Sequence, residues 1–308
     1  MIFIKNKITD VYFNLALEEY IFEKFKEDEV FMLWINEPSV VIGKHQNLIE
    51  ELNMKYCFEN NIKIARRLSG GGTVVHDFGN LNYTYITNTT GNTALDFKEF
   101  LKPMYNALLN LNIDVHVSPR NDFRVQDKKI CGHSEFMRKK RVLHHGCILF
   151  DSNLDKLRNA LNVNNKKVIS KSAKSVKSSV ANLKEISKLD YEISDFLEKL
   201  KNEILQTQEN FEIYELTKED FLNVDKIKSE KYATKDWIYG QSPKCTFFLD
   251  EERDYTVEID GGKIEKINMR DDNKFDSLIG IYFEYEEIKN KLDLLDINDI
   301  YSKMLCDI

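Results

Sequence analysis

Hydrophobic and polar positions change their period several times along the chain. Residues 12–27 place Leu17, Ile21 and Phe25 at helical spacing, which predicts an amphipathic helix. Val30–Ile35 and Ser39–Ile42 are short apolar runs on either side of Glu37-Pro38 and predict two strands around a turn. Leu81–Thr87 alternates Leu81, Tyr83 and Tyr85 with Asn82, Thr84 and Ile86, as a strand does. Residues 95–112 return to helical period through Leu101, Tyr105 and Leu108. Phe123–Cys131 predicts a hairpin turning near Asp127-Lys128, Val142–Phe150 a strand, and Leu154–Leu161 a short helix. Helices are predicted at 190–206 and 218–232, with a strand at Phe211–Leu216 between them.

The character changes near Gly240–Pro243. Cys245–Leu249, Tyr255–Asp260 and Lys263–Met269 read as strands, the last two joined at Gly261-Gly262, a favourable hairpin turn. Helical segments finish the chain. These patterns place a domain boundary near 243, giving residues 1–243 and 244–308. Strands and helices mix without a regular βαβ alternation, so the fold class is α+β.

Composition narrows the class. Hydrophobic residues make up 42% of 308, enough for a sizeable core and too many for disorder. The net charge of −7 disfavours a general nucleic-acid binder. No apolar stretch approaches the roughly 20 residues needed to span a bilayer, and the start MIFIKNKITD shows no secretory pattern. The five cysteines, Cys57, Cys131, Cys147, Cys245 and Cys306, are widely spaced without a CxxC. Reduced thiols in a cytoplasm suit that pattern, and neither a membrane nor nucleic acid is expected as a partner.

Candidate chemistry concentrates where glycine does. Eight of the 12 glycines lie between Gly43 and Gly146, three of them consecutive in Arg66-Arg67-Leu68-Ser69-Gly70-Gly71-Gly72-Thr73. Bare glycine backbone lets amides converge on an anion such as phosphate, and two arginines supply charge and donors. A flexible turn between strands is the alternative. The segment is neither a Walker A loop nor GxGxxG. His76-Asp77, Arg120-Asn121-Asp122 and Lys128-Lys129-Ile130-Cys131-Gly132 follow. A lysine beside a glycine on a strand reaches a bound phosphate or carboxylate, or is merely solvated. His144 and His145 are adjacent on a strand, point to opposite faces and do not share one ion.

In order, these segments resemble the lipoate–protein ligase family in its bacterial two-domain form. The resemblance runs through Asn14-Leu15-Ala16-Leu17-Glu18-Glu19, Leu33-Trp34-Ile35-Asn36 and Val40-Val41-Ile42-Gly43. It continues through ARRLSGGGTVVHDFGNLN, Arg120-Asn121-Asp122, KKICG, HHGCILF, Lys174-Ser175-Val176 to Asn182-Leu183, and Trp237-Ile238-Tyr239-Gly240-Gln241. It implies a mixed β-sheet flanked by helices, related to biotin ligases, with a small α+β C-terminal accessory domain that moves between the two half-reactions. The implied reaction joins lipoate to ATP as lipoyl-AMP and passes the acyl group to a lysine of a lipoyl domain, as in 2-oxoacid dehydrogenase subunits, or of a glycine-cleavage H protein.

By this resemblance Arg67, Ser69, Gly70, Gly71, Gly72, Thr73, Val74 and Val75 fall on the nucleotide segment, and Asn121 and Asp122 near the nucleotide and its Mg²⁺, with Asp122 the metal candidate. Lys129 falls on the lysine that contacts both ATP and lipoate and is the catalytic candidate; His145 and Gly72 join it at the lipoate. A fixed ammonium there screens the repulsion between carboxylate and triphosphate. An apolar slot for the dithiolane is sought around Trp34–Val41 and Tyr83. Two departures stand out. His133 occupies a position usually small in the family, where it either alters acyl specificity or points away. Cys147 stands where threonine is common. Related ATP-independent octanoyl- and lipoyl-transferases use a cysteine thioester, which brings Cys147 and Cys131 into view as carriers. A catalytically silent binding protein for a lipoylated partner is a further alternative. Residues 156–188 carry nine Lys/Arg against Glu185 alone, a solvated face or a docking surface for acidic acceptor domains.

Overall fold

A computed structural model describes residues 1–89, 97–161, 167–176, 178–249, 255–268 and 273–297. In chain order its strands are β1 (Ile2–Lys5), β2 (Val30–Trp34), β3 (Ser39–Ile42), β4 (Lys63–Arg66), β5 (Val74–His76), β6 (Asn80–Asn88), β7 (Val115–Val117), β8 (Phe123–Val125), β9 (Lys128–Arg138), β10 (Arg141–Leu149), β11 (Val168–Ser170), β12 (Glu212–Glu215), β13 (Cys245–Phe248), β14 (Thr256–Asp260) and β15 (Lys263–Asn268). The chain divides into two compact units: residues 1–37, 76–154 and 176–228, and residues 38–75, 155–175 and 229–308.

The first unit is built on an eight-stranded sheet in the order β12-β1-β2-β6-β10-β9-β8-β7. β1 runs parallel to β12 and β2, whereas β2, β6, β10, β9, β8 and β7 pair antiparallel, so the sheet is mixed. One face carries the core: Phe31, Leu33, Leu81, Tyr83, Cys131 and Ile148 cluster with Leu101, Met104 and Leu108 of helix Phe97–Asn110 and with Phe196, Leu200 and Ile204 of helix Ile193–Gln206. Alternation sends the intervening residues, Asn80, Asn82, Thr84, Gly132, His145 and Cys147, to the opposite face. Helix Val11–Lys24 reaches that face through Glu18 and starts where Asp10 accepts from the Phe13 N–H at 2.9 Å. The predicted helix 95–112 is described from Phe97 onward, residues 95 and 96 lying outside the described residues.

The second unit holds a three-stranded sheet, β4-β3-β5, and a four-stranded sheet, β11-β13-β14-β15. Both glycines of the predicted hairpin have positive φ, 53° at Gly261 and 71° at Gly262, with Asp260 opposite Lys263, which makes a two-residue loop. Met269, the predicted end of β15, lies outside the described residues, as does Cys306. Two expectations change. The strands on either side of Glu37-Pro38 are not paired: β2 joins the eight-stranded sheet and β3 the three-stranded one, because the chain passes between units there. The helix expected over 218–232 is α-helical only to Ile227 and continues as a π-turn over Lys228–Tyr232.

Candidate active site

In the first unit, Lys129 is the second residue of β9, and its surroundings follow from a bulge. Phe123 pairs with Cys131 but Arg124 pairs with Lys129, so Ile130 is the extra residue. The shift places Lys129 on the same face as Gly132. A Cβ on Gly132 would lie 2.9 Å from Lys129 Nζ and 3.0 Å from Cε, so the glycine leaves the space through which the ammonium lies back over the strand. Asp122 fixes it there with an ion pair of 2.7 Å, and Arg124 stands 3.9 Å from the same carboxylate. The backbone of Lys129 is tied as well: its N–H donates to Ser179 O at 2.9 Å and its carbonyl accepts from Ala181 N–H at 3.1 Å. Asn121 sits in a tight turn with φ of 61°, closed by its N–H to Ser118 O at 2.9 Å. Asn121, Asp122 and Lys129 therefore form one assembly.

Sheet register sets what lies beside Gly132. Trp34, Asn82, Cys147 and Gly132 form one row across β2, β6, β10 and β9; Met32, Thr84, His145 and Ser134 form the next. His145 Nδ1 contacts Glu18 Oε1 at 2.9 Å, Thr84 donates to the same oxygen at 2.6 Å, and Trp34 Nε1 donates to Thr84 at 2.9 Å. The buried Glu18 carboxylate thus anchors His145 and, through Thr84, Trp34.

The adjacent His144 points the other way, with Nδ1 2.9 Å from Glu135 and Nε2 3.1 Å from the Tyr83 hydroxyl. Burial, with His145 nearby, lowers its pKa to about 3. Burial raises Glu135 to about 7, only partly opposed by His145. Below about pH 7 the contact is therefore a neutral hydrogen bond in which the carboxylic acid donates, rather than an ion pair. His133 also faces the core: Nδ1–H donates to Asn121 O at 2.6 Å, the ring meets Phe123 edge-on at 4.4 Å, and burial holds it well below the ordinary imidazole value. Of its two readings, the side chain points away from the Lys129 face. Cys131 lies on that core face with Sγ 3.2 Å from His133 Nε2, and burial raises its thiol well above the ordinary range. A protonated, enclosed thiol is a poor acyl carrier. Tyr83, sought as slot lining, is likewise core.

In the second unit the two arginines have different tasks. Arg66 is fully buried and holds Gly43, Lys44 and Gln46 carbonyls at 3.1, 3.2 and 2.8 Å, Ile238 O at 2.9 Å and Ser242 Oγ at 2.8 Å. It is a backbone clamp and offers no donors to a phosphate, a correction to the expectation that both arginines serve an anion. Arg67 wraps the glycine loop, donating to Gly70 O at 2.6 Å, Gly72 O at 2.7 Å, Val41 O at 3.0 Å and Ser69 Oγ at 3.0 Å. Gly71 has φ of 82°, and its carbonyl would be 2.3 Å from a Cβ at Gly43, so both glycines are needed for the close approach of β3 to the loop. Thr73 N–H donates to Ser175 Oγ at 2.9 Å, and the Thr73 hydroxyl lies 3.0 Å from Gln46 Oε1 and 3.1 Å from Glu51 Oε2. Val74 and Val75 continue into β5. Sequence reasoning missed Gln46 and Glu51, which carry no motif of their own.

Among the described residues no three His, Cys, Asp or Glu side chains group as a metal site. Asp122 nonetheless fits a Mg²⁺ carried by nucleotide phosphates, which takes only one or two protein carboxylates. The basic run is partly self-neutralised: Lys174 pairs with Glu50 at 2.6 Å, Arg158 with Asp155 at 2.8 Å, and Lys184 with Asp151 and Glu192 at 2.9 and 3.0 Å. Lys166 and Lys177 lie outside the described residues. No described helix is long and apolar enough to cross a membrane.

The family described as Lipoyl protein ligase A/B catalytic domain matches residues 10–205. The chain belongs to this family. It is 38% identical to lipoate–protein ligase 1 of Staphylococcus aureus over 95% of this chain and 93% of that one. It is 39% identical to the lipoate–protein ligase LplJ of Bacillus subtilis over 95% and 89%. Among solved structures, a lipoate–protein ligase A bound with ATP superposes with a TM-score of 0.64 at 25% identity, covering 76% of this chain and 96% of that one. Both units contribute residues to the 10–205 match: the Asp122–Lys129 assembly of one and the glycine loop of the other fall inside it.

Proposed function

We propose that this chain is an ATP-dependent lipoate–protein ligase that makes lipoyl-AMP and pyrophosphate and then lipoylates a lysine of an acceptor protein. The observation that carries the reading is the Lys129 ammonium, held by Asp122 at 2.7 Å over Gly132. Its role is to bridge the lipoate carboxylate and the α-phosphate, screening their repulsion and stabilising charge that develops at phosphorus. The carboxylate oxygen attacks phosphorus and pyrophosphate departs. The acceptor amine then attacks the acyl carbon and AMP departs. In the second unit, Arg67 shapes the glycine loop from Ser69 to Thr73, to which with Val74-Val75 the nucleotide role is assigned and to Gly72 a role toward the acid; in the first unit, Asn121 has a nucleotide role and His145 a role toward the acid. Asp122 is the residue that would hold a Mg²⁺ arriving with ATP, and the ion would supply charge neutralisation for the leaving pyrophosphate.

Residues 1–243 carry both half-reactions in this reading and residues 244–308 form the accessory domain. The acceptors are lipoyl domains and the glycine-cleavage H protein, and the compartment is the cytoplasm. Incubation of purified chain, ATP and lipoate with candidate acceptors, read by intact mass, tests the proposal: an acceptor gains one lipoyl mass only when ATP is present. ATP-independent gain would favour a thioester transferase.

A further inference from the structure

From Gly132, beside the Lys129 ammonium, the row crosses Cys147 to Asn82; Asn80, two residues earlier on β6, shares its face, and both buried amides have unmet hydrogen bonds. Asn80 Nδ2 donates to Asn82 Oδ1 at 2.9 Å. That leaves Asn82 Nδ2 and Asn80 Oδ1 without a hydrogen-bond partner among the described residues. Asn80 is fully enclosed and Asn82 is 2% exposed. A buried donor left unpaired is costly, so a site that keeps one is shaped for a partner. The two amides share a face with Gly132 and not with the core cluster of Leu81 and Tyr83. Asn82 stands two strand spacings from Gly132, about 10 Å away. That is the reach of an extended eight-carbon acid whose carboxylate rests on Lys129 and whose chain crosses Cys147.

We propose that Asn82 is the specificity-determining residue of the acyl slot, with its Nδ2–H directed at a sulfur of the 1,2-dithiolane ring, so that the chain selects lipoate over octanoate. This rests on the ligase reading above and names its substrate more finely. Divalent sulfur is polarisable and a weak acceptor, so it meets the amide N–H. The terminal methylenes of octanoate offer no acceptor and leave that donor buried and unpaired. A site with buried polar groups discriminates against the ligand that lacks their partner more strongly than an apolar slot does. Asn80 holds the Asn82 amide in orientation through the 2.9 Å hydrogen bond and is a positioning residue.

The test is acid-dependent exchange of pyrophosphate into ATP, run with lipoate and with octanoate on the full chain. The wild type is expected to favour lipoate in kcat/KM by about tenfold, the scale of one unpaired buried donor. Asn82→Leu, close in volume, should bring the two acids within about twofold, chiefly by improving octanoate, and Asn82→Ala should move the ratio in the same direction if the leucine variant does not fold. Equal use of both acids by the wild type, or an unchanged ratio in a folded variant, overturns the inference. A lipoate complex in which a water bridges the two amides and the dithiolane lies elsewhere also overturns it. Absence of exchange with either acid in the wild type is a different result: it overturns the ligase reading itself.

Discussion

The chemistry turns on how one lysine side chain is held. Gly132 is required because Lys129 Nζ and Cε fill the position its Cβ would take. The obstructing atoms are the mobile end of a side chain, so Gly132→Ala keeps the fold and displaces the ammonium. We expect a loss of at least about tenfold in acid activation, with the melting temperature nearly unchanged; exchange kinetics and a thermal melt check both. Cys147 lies in the same row as Gly132 but carries no acyl group in this account. Cys147→Ser should therefore retain transfer within about threefold, whereas its abolition would favour the thioester route. Lys129, Asp122 and Gly132 were legible in the sequence because they share a short motif region. The bulge at Ile130 that turns Lys129 and Gly132 to one face was not, because a single unpaired residue leaves no mark on hydrophobic alternation.

Individual elements were legible in proportion to their length and periodicity. The predicted strands of the large sheet and the Gly261-Gly262 hairpin correspond to β2, β6, β10, β14 and β15. Three- and four-residue strands such as β4, β5, β7 and β11 were not foreseen, since so few residues establish no period. The Trp237–Gln241 stretch was legible only as part of a resemblance, and its physical task lies in the fold. Ile238 O and Ser242 Oγ accept from Arg66, and Trp237 Nε1 donates to Arg66 O at 2.8 Å. Removing that guanidinium strands several buried acceptors at once. Arg66→Ala is expected to cost at least about 3 kcal/mol of stability, read by urea denaturation, while Arg67→Ala should act mainly on nucleotide affinity. A smaller stability loss for Arg66→Ala than for Arg67→Ala would contradict this division of tasks.

At the level of the whole molecule, buried titratable groups shape the dependence of stability on pH. Glu135 is raised to about 7, so between the ordinary carboxylate range and that value the folded chain keeps a proton that the unfolded chain has released, and stability falls as pH rises through that window. His144 is lowered to about 3 and His133 is also lowered, so up to the ordinary imidazole range, for His144 from about 3, the unfolded chain binds protons the folded chain does not, and stability rises with pH. The contributions oppose each other from the ordinary carboxylate range up to the imidazole range; from there to about 7 only the loss from Glu135 remains. Stability should peak near pH 6.5, and Glu135→Gln should flatten the decline above it, as denaturation midpoints across pH would show. The α+β class and the family were readable from one sequence, because ordered motifs constrain both together. The neutral His144–Glu135 contact was not, since protonation depends on burial that only the folded chain reveals.

The measurement closest to the centre of this account is exchange of labelled pyrophosphate into ATP, with the wild type and Lys129→Ala compared in the presence and absence of lipoate. The wild type should show lipoate-dependent exchange and the variant a loss of about three orders of magnitude or more, on the order of what removing a central electrostatic group costs. Exchange that persists in Lys129→Ala, or a wild type that lipoylates an acceptor without exchanging pyrophosphate, would contradict that expectation.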